Sequence, residues 1–203
     1  MTRNVRLLLV PFLALAATMV AGTASAAAAP TVRLDGVRTT LWTDPATTKV
    51  LLANKIVPLP TRGTYVDVKW TPRGPSVGYG FPIPSGRVDA ATLAGSINHT
   101  GGIRFVNLAN GKRLSLTRFR IVIDAHPHLT AIVNGDPKVR VSILRLDLSK
   151  ATVSEPLPYV RVGHVGAYVN STAAGALNSA LGVSFFAPGI KLGTAHVNAH
   201  VAG

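Results

Sequence analysis

The chain has 203 residues, no cysteine and a formal net charge of +13, with 21 Lys and Arg against 8 Asp and Glu. The lack of cysteine excludes disulfides, thiolate zinc sites, iron–sulfur clusters and thiol nucleophiles, so stability must come from apolar burial. The positive charge favours anionic partners, although the dispersed basic residues fit a solvated surface equally well.

The first 26 residues have the pattern of a secretory signal peptide. Two arginines precede the apolar run of residues 7–20, and an Ala-x-Ala sequence ends at Ala26. A helix that crosses a membrane needs about 20 apolar residues, so this run is short for an anchor, which is the alternative. We predict a signal peptide at 1–26 and a single β-rich domain at 27–203, secreted or envelope-associated, with no transmembrane anchor after cleavage.

The predicted elements begin with a strand at residues 31–38. Asp44 and Pro45 then open a short helix that ends near Lys55, because Asp is a good N-cap and Pro suits the first helical position. Residues 57–84 are rich in Pro and Gly and predict a loop that contains two short strands, near residues 64–70 and 77–83.

From residue 87 to residue 152, apolar side chains alternate with period two, which predicts long strands. The alternation changes phase near Thr117 and Arg118 and again at Leu144, so we expect β-bulges there. A small helix capped by Asn170 and Gly182 follows, and residues 192–201 form a last strand. These elements predict a mainly β fold, an antiparallel sandwich or barrel-like sheet with one or two short helices.

The sequence contains no recognisable catalytic motif. The eight acidic residues are scattered singly, and the histidine spacings are not diagnostic of a metal site. The six histidines are His99, His126, His128, His164, His196 and His200. No nucleophile elbow, zinc-protease motif or phosphate-binding glycine loop is present. We therefore predict that the protein is not an enzyme and holds no metal.

Several arginines lie on the central predicted strands. Arg104, Arg118 and Arg120 are candidate anion-binding residues, because guanidinium groups recognise phosphate and carboxylate, and an exposed sheet face is the alternative. Both tryptophans, Trp42 and Trp70, lie outside these strands. A specific nucleic-acid partner is therefore not expected, because the aromatic stacking platform is not evident.

The central region resembles the HtaA-type domain of secreted and surface actinobacterial proteins. The resemblance rests on residues 81–83, 88–89, 93–105, 114–123 and 129–131, and on the closing segments 165–167, 173–178 and 192–193. It covers residues 77–201. It implies a β-rich fold and, as in characterised members, haem binding through a tyrosine ligand assisted by a histidine. His99 occupies the position of that histidine. The family's N-terminal tyrosine segment is not found here, and Tyr65 and Tyr79 are candidates by their order alone.

Together these features predict a secreted, non-catalytic protein that binds haem or another flat anionic small-molecule ligand. The alternative is an envelope-associated structural or adhesive protein that binds anionic cell-wall polymers through its net charge.

Overall fold

The computed structural model describes residues 30–202, in which thirteen strands form one continuous sheet and two helices pack outside it. The predicted signal peptide lies outside the described residues. The strands are β1 (Thr31–Thr43), β2 (Ile56–Pro60), β3 (Tyr65–Thr71), β4 (Gly74–Pro82), β5 (Ser85–Asp89), β6 (Gly95–Asn98), β7 (Gly102–Asn107), β8 (Arg113–Ile123), β9 (His128–Val133), β10 (Arg140–Asp147), β11 (Thr152–Ser154), β12 (Tyr159–Val169) and β13 (Lys191–Val201). The helices are α1 (Pro45–Ala53) and α2 (Ser171–Leu181).

Eight of the strands close into a barrel-like ring, because β13 pairs with both β1 and β12. The order around the ring is β1, β5, β6, β8, β9, β10, β12 and β13, and every pair is antiparallel. Closure pairs the edges that an open sheet would leave exposed. The predicted fold class, a mainly β antiparallel sheet with two short helices, is confirmed.

Two branches extend the sheet away from the ring. Strand β1 pairs with β5 over residues 31–34 and with β4 over residues 38–42, and β3 pairs with the far side of β4. In the same way the C-terminal half of β8 pairs with β6, and the N-terminal half of β8 pairs with β7. Strand β2 then pairs with the other edge of β7.

Both predicted bulges are confirmed. The pairing of β8 with β9 shifts register between Thr117 and Arg120, and the pairing of β10 with β9 shifts between Ser142 and Leu144. The prediction of a loop from residue 57 was wrong for its start, where β2 runs over Ile56–Pro60. Strand β2 carries two prolines because it pairs on one side alone, with β7, and edge strands tolerate a missing N–H.

The helices follow the capping rules read from the sequence. The Asp44 side chain accepts a hydrogen bond from the Ala46 N–H at 2.9 Å, and the Asn170 side chain accepts one from Ala173 N–H at 2.7 Å. Helix α2 ends at Gly182, which adopts the left-handed conformation with φ 65°. Its buried Leu177 and Leu181 join the main apolar core. Neither α1 nor α2, the two helices of the described region, has the length and apolarity needed to span a membrane.

Candidate ligand site inside the barrel

The ring of strands encloses a cavity of about 110 Å³. Its lining side chains are aliphatic or aromatic apart from Thr39 and His99. Packed protein interiors contain few voids larger than a water molecule, and a single water needs only about 10–15 Å³ together with several polar partners. A space of this size with so few polar groups is expected to be dry and to favour an apolar guest.

The cavity lining follows from the alternation of the strands and from their bulges. On β8, Leu116 faces inward before the bulge, and Phe119 and Ile121 face inward after it. Without the extra residue, the second half of the strand would turn its apolar face to solvent. Phe119 packs edge to face against Phe81 of β4, with ring centroids 4.8 Å apart. The bulges therefore keep long, bent strands apolar on the inside throughout.

One end of the cavity reaches a half-exposed apolar rim, which we call the mouth. Its residues are Leu93, Ile123, Leu129 and Leu148, which line the cavity and are only half-buried. They lie in or beside the turns that follow β5, β8 and β10. These three strands run in the same direction around the ring, so their ends meet at one opening. These partly exposed side chains offer a ligand one route into the cavity.

Within the described region, His99 and Thr39 are the two polar side chains that line the cavity. His99 is only 4% exposed, and it lies in the connection between β6 and β7. Its Nδ1 is 3.3 Å from the Phe119 carbonyl oxygen, and its Nε2 is 2.8 Å from Thr39 Oγ1. A carbonyl can only accept, so Nδ1 carries the proton and the Thr39 hydroxyl donates to Nε2. Burial lowers the pKa of His99 to about 4, so the ring is neutral at neutral pH.

The two candidate tyrosines do not line this cavity. Tyr79 of β4 is 4% exposed, and its hydroxyl donates to the Pro58 carbonyl of β2 at 3.0 Å, which ties the two branches together. Burial raises the pKa of the Tyr79 hydroxyl, so a phenolate is disfavoured there. Tyr65 of β3 is 58% exposed, and the Arg38 guanidinium lies over its ring at 5.3 Å. The three predicted ligand residues therefore occupy three separate environments.

The architecture matches a solved domain over most of its length. The structure of the C-terminal domain of HtaA from Corynebacterium glutamicum superposes with a TM-score of 0.60, covering 84% of this chain and 99% of that one at 16% identity. A domain-swapped dimer of a histidine-to-alanine variant of that domain gives a TM-score of 0.53, covering 77% and 91% at 17% identity. The chain has the fold of the HtaA C-terminal domain. No protein-family model matches the chain, and no curated protein is significantly similar to it in sequence.

Within this HtaA fold, the predicted anion-binding arginines lie on the outer surface of neighbouring strands. Arg118 and Arg120 are close to Arg140, whose pKa is lowered by its burial and by their charges. The Arg120 Nε donates to Asn98 Oδ1 at 2.8 Å, and the Arg104 Nε donates to Ser115 Oγ at 3.2 Å. The structure therefore gathers Arg118, Arg120 and Arg140, while Arg104 lies on the adjacent strand β7.

Two of the remaining histidines lie beside an aspartate. His200 Nδ1 lies 2.7 Å from Asp35 Oδ1, and His128 Nδ1 lies 3.9 Å from Asp124 Oδ1. Between residues 30 and 202, no group of three or more His, Asp or Glu side chains is arranged to hold a metal. Thr39, which bonds His99, was not predicted as a site residue. A single threonine on a strand gives no signal in sequence, because its partner His99 is 60 positions away in the chain.

Proposed function

We propose that this protein is an exported, non-catalytic binding protein of the HtaA fold that takes the hydrocarbon part of a small apolar ligand inside the barrel. The apolar cavity of about 110 Å³ with its half-exposed mouth is the observation that carries the proposal. An engineered protein cavity of about 150 Å³ lined by Leu, Ile and Phe stays dry and binds benzene, so a space of this order is enough for a ring or a short alkyl chain.

Haem is the ligand that the family resemblance implies, and it is the larger alternative. Pockets for drug-sized ligands measure about 300–1,000 Å³, so a haem would require the barrel to open. It would also require Tyr79 to leave the Pro58 carbonyl, or Tyr65 to move in from the surface. Both nitrogens of His99 already have partners. These requirements favour a smaller apolar ligand over haem.

A binding role also fits the chemistry of the lining better than catalysis. Among the described residues that line the cavity, His99 alone has an ionisable side chain, and its lowered pKa keeps it neutral. General acid–base catalysis needs a group whose pKa is close to the working pH, usually with a second group beside it.

Association with anionic envelope polymers is a second candidate function, supported by the charge of the surface. Within residues 30–202, the side-chain ion pairs closer than 4 Å all join a histidine to an aspartate. The lysines and arginines of this region are thus left without a carboxylate partner and contribute their full charge to the surface potential.

Calorimetric titration of residues 27–203 with linear alcohols of increasing chain length tests the interior site. We expect saturable binding at one equivalent, with an affinity that rises with chain length until the cavity is full. Ala195→Leu places a larger side chain in the cavity lining and should abolish binding. Ala176→Leu makes the same change on the exposed face of α2 and should leave binding intact. Equal affinity in both variants, or binding in neither the variants nor the wild type, would refute the interior site.

A haemin titration followed by absorbance tests the alternative. A saturable Soret shift at one equivalent that is lost in Tyr65→Phe, Tyr79→Phe or His99→Ala would establish haem binding and contradict our preference for a smaller ligand. A weak, non-saturating shift that all three variants share would support that preference.

A further inference from the structure

A second cavity, of about 290 Å³, lies on the outside of the barrel wall, and we call it the outer groove. Its polar lining consists of Arg38, Thr40, Arg161, His196 and Asn198. The groove and the interior cavity share Val162 and Val197, which belong to the wall between them. The two spaces thus present opposite chemistry on the two sides of the same three strands.

The register of the strands places two arginines on either side of one asparagine. Arg38 of β1 pairs with Asn198 of β13, and Asn198 pairs with Arg161 of β12. Neighbouring strands are about 4.8 Å apart, so the two arginine backbones are roughly 10 Å apart. In the structure the Arg38 side chain extends over Gly80 of β4 towards the Tyr65 ring, so Arg38 must turn away from Tyr65 to reach a group bound above Asn198 together with Arg161. His196 lies two residues along β13 on the same face.

A bulge and the absence of a side chain at Gly163 create the space. The pairing of β12 with β13 shifts between Val162 and Val165, which leaves Gly163 at the edge of the groove. A Cβ at Gly163 would lie 2.9 Å from Thr152 Oγ1 and 3.5 Å from His196 Nδ1. A side chain at this position would crowd His196, so the bulge and Gly163 keep the groove open.

The charge of the groove is uncompensated. No acidic side chain is among its described lining residues, and neither arginine forms an ion pair within residues 30–202. The pKa of His196 is lowered by burial and then by the charges of His164 and Lys69, which places two more basic groups near the groove. The His164 and His196 rings are 5.4 Å apart. A concave surface with this set of donors favours an oxyanion.

Asn198 narrows the class of ligand further. Its Oδ1 is the single buried side-chain oxygen or nitrogen in residues 30–202 that lacks a hydrogen-bond partner. A buried acceptor without a donor is costly, and a fully ionised phosphate ester has no proton to donate. A hydroxyl group beside the anion can supply it. The groove therefore offers donors to an oxyanion and an acceptor to an adjacent hydroxyl.

We propose that the outer groove binds a phosphorylated polyol or sugar, with Arg38 and Arg161 holding the phosphate oxygens and Asn198 Oδ1 accepting a hydrogen bond from a neighbouring ligand hydroxyl. The proposal is independent of the interior ligand. It also differs from general attraction of anionic polymers to the surface, because it requires one stoichiometric site.

Calorimetric titration of residues 27–203 at pH 8 with glycerol phosphate, methyl phosphate and glycerol tests this site. We expect saturable binding of glycerol phosphate at one equivalent, weaker binding of methyl phosphate, and no measurable binding of glycerol. Arg161→Gln and Arg38→Gln should each weaken glycerol phosphate binding by about tenfold or more. Arg87→Gln removes the same charge from exposed β5, outside the groove, and should change the affinity little. Using both groove variants guards against one that fails to fold.

Asn198→Ala tests the hydroxyl contact, because it should lower the affinity for glycerol phosphate to that for methyl phosphate, which has no alkyl hydroxyl group. Phosphatidylglycerol vesicles that displace glycerol phosphate would identify a lipid headgroup as the source, and vesicles that do not would identify a soluble ester. The proposal is overturned if glycerol phosphate does not bind saturably, if it binds no more tightly than methyl phosphate, or if Arg87→Gln weakens binding as much as Arg161→Gln.

Discussion

The hydroxyl of Thr39 and the imidazole of His99, 60 positions apart in sequence, meet at 2.8 Å inside the barrel. Thr39 belongs to β1, and His99 belongs to the connection between β6 and β7, so the bond joins two segments that are not neighbours in the ring. The backbone N–H of His99 also donates to the Phe119 carbonyl of β8 at 2.8 Å. His99 thus holds β1, β8 and the connection between β6 and β7 together, and apart from Thr39 it is the one polar side chain among the described residues that line this apolar cavity.

Removing the Thr39 hydroxyl should destabilise the fold. Thr39→Val keeps the shape of the side chain but leaves the buried Nε2 of His99 without a donor, which should lower the free energy of unfolding by about 1–2 kcal/mol. Urea denaturation followed by circular dichroism measures the change. Thr40→Val, on the outward-facing neighbour in the same strand, should change stability by less than about 0.5 kcal/mol. Equal effects of the two substitutions would contradict the role of the Thr39–His99 bond.

His99 should make the fold sensitive to mild acid. Its pKa of about 4 in the folded state lies below the ordinary value of 6.5, so the unfolded chain binds the proton more readily. The contribution of the neutral ring to stability is therefore intact above pH 6.5 and is lost as the pH falls from 6.5 towards 4. At about 1.4 kcal/mol per pKa unit, the loss amounts to about 3 kcal/mol.

Unfolding free energies at pH 7 and pH 4 measure this dependence. The drop between the two pH values should be about 3 kcal/mol smaller in His99→Gln than in the wild type. Subtracting the variant removes the contributions of the other titrating groups, including His196 and the aspartates. A drop of the same size in both proteins would contradict the neutral, buried His99.

Asn107 should stabilise the C-terminal end of α2 more than Asn110 does. Both side chains donate to the Leu181 carbonyl, at 2.8 Å and 3.0 Å. Asn107 is 2% exposed and also accepts from the Ala109 N–H, whereas Asn110 is exposed and water can replace it. Asn107→Ala should lower the free energy of unfolding by about 2–3 kcal/mol and Asn110→Ala by less than about 1 kcal/mol. The reverse order in chemical denaturation would count against this anchoring.

Export should remove residues 1–26. We expect the protein recovered outside the expressing cell to begin at Ala27, as measured by intact mass and N-terminal sequencing, because the Ala-x-Ala sequence ends at Ala26. Replacing Ala24 and Ala26 together with larger residues should block cleavage and leave the longer chain associated with the membrane. Recovery of a full-length chain in the medium would contradict the predicted signal peptide.

The sequence was most informative where its pattern was local. The two phase changes in the apolar alternation predicted the bulges of β8 and β10, because a strand must keep one face inside. The capping residues Asn170 and Gly182 predicted the ends of α2, because capping also depends on residues that are close in sequence. Strand β12 was not predicted as a strand, since Gly163 and His164 together oppose the single residue His196, and this one extra residue interrupts the alternation.

The sites could be predicted only in part. His99 was selected through a family resemblance, and its burial and its bond to Thr39 depend on a contact between distant segments that residue patterns do not reveal. Tyr79 was selected by its order in the chain, but its hydroxyl is held by the backbone of β2. The outer groove was not predicted, because Arg38, Arg161 and Asn198 are brought together only when β13 closes the ring. Non-local strand register, not residue type, determines these sites.

The most direct test of the interior site is methyl NMR of residues 27–203 with labelled Ile, Leu and Val side chains, titrated with a short linear alcohol. We predict saturable shifts of methyl groups that line the cavity, such as those of Ile143 and Leu146, while the exposed Leu52 and Val153 remain unchanged. No shift in the lining methyls at saturating alcohol, or shifts confined to exposed side chains, would contradict the proposal that the barrel interior is the binding site.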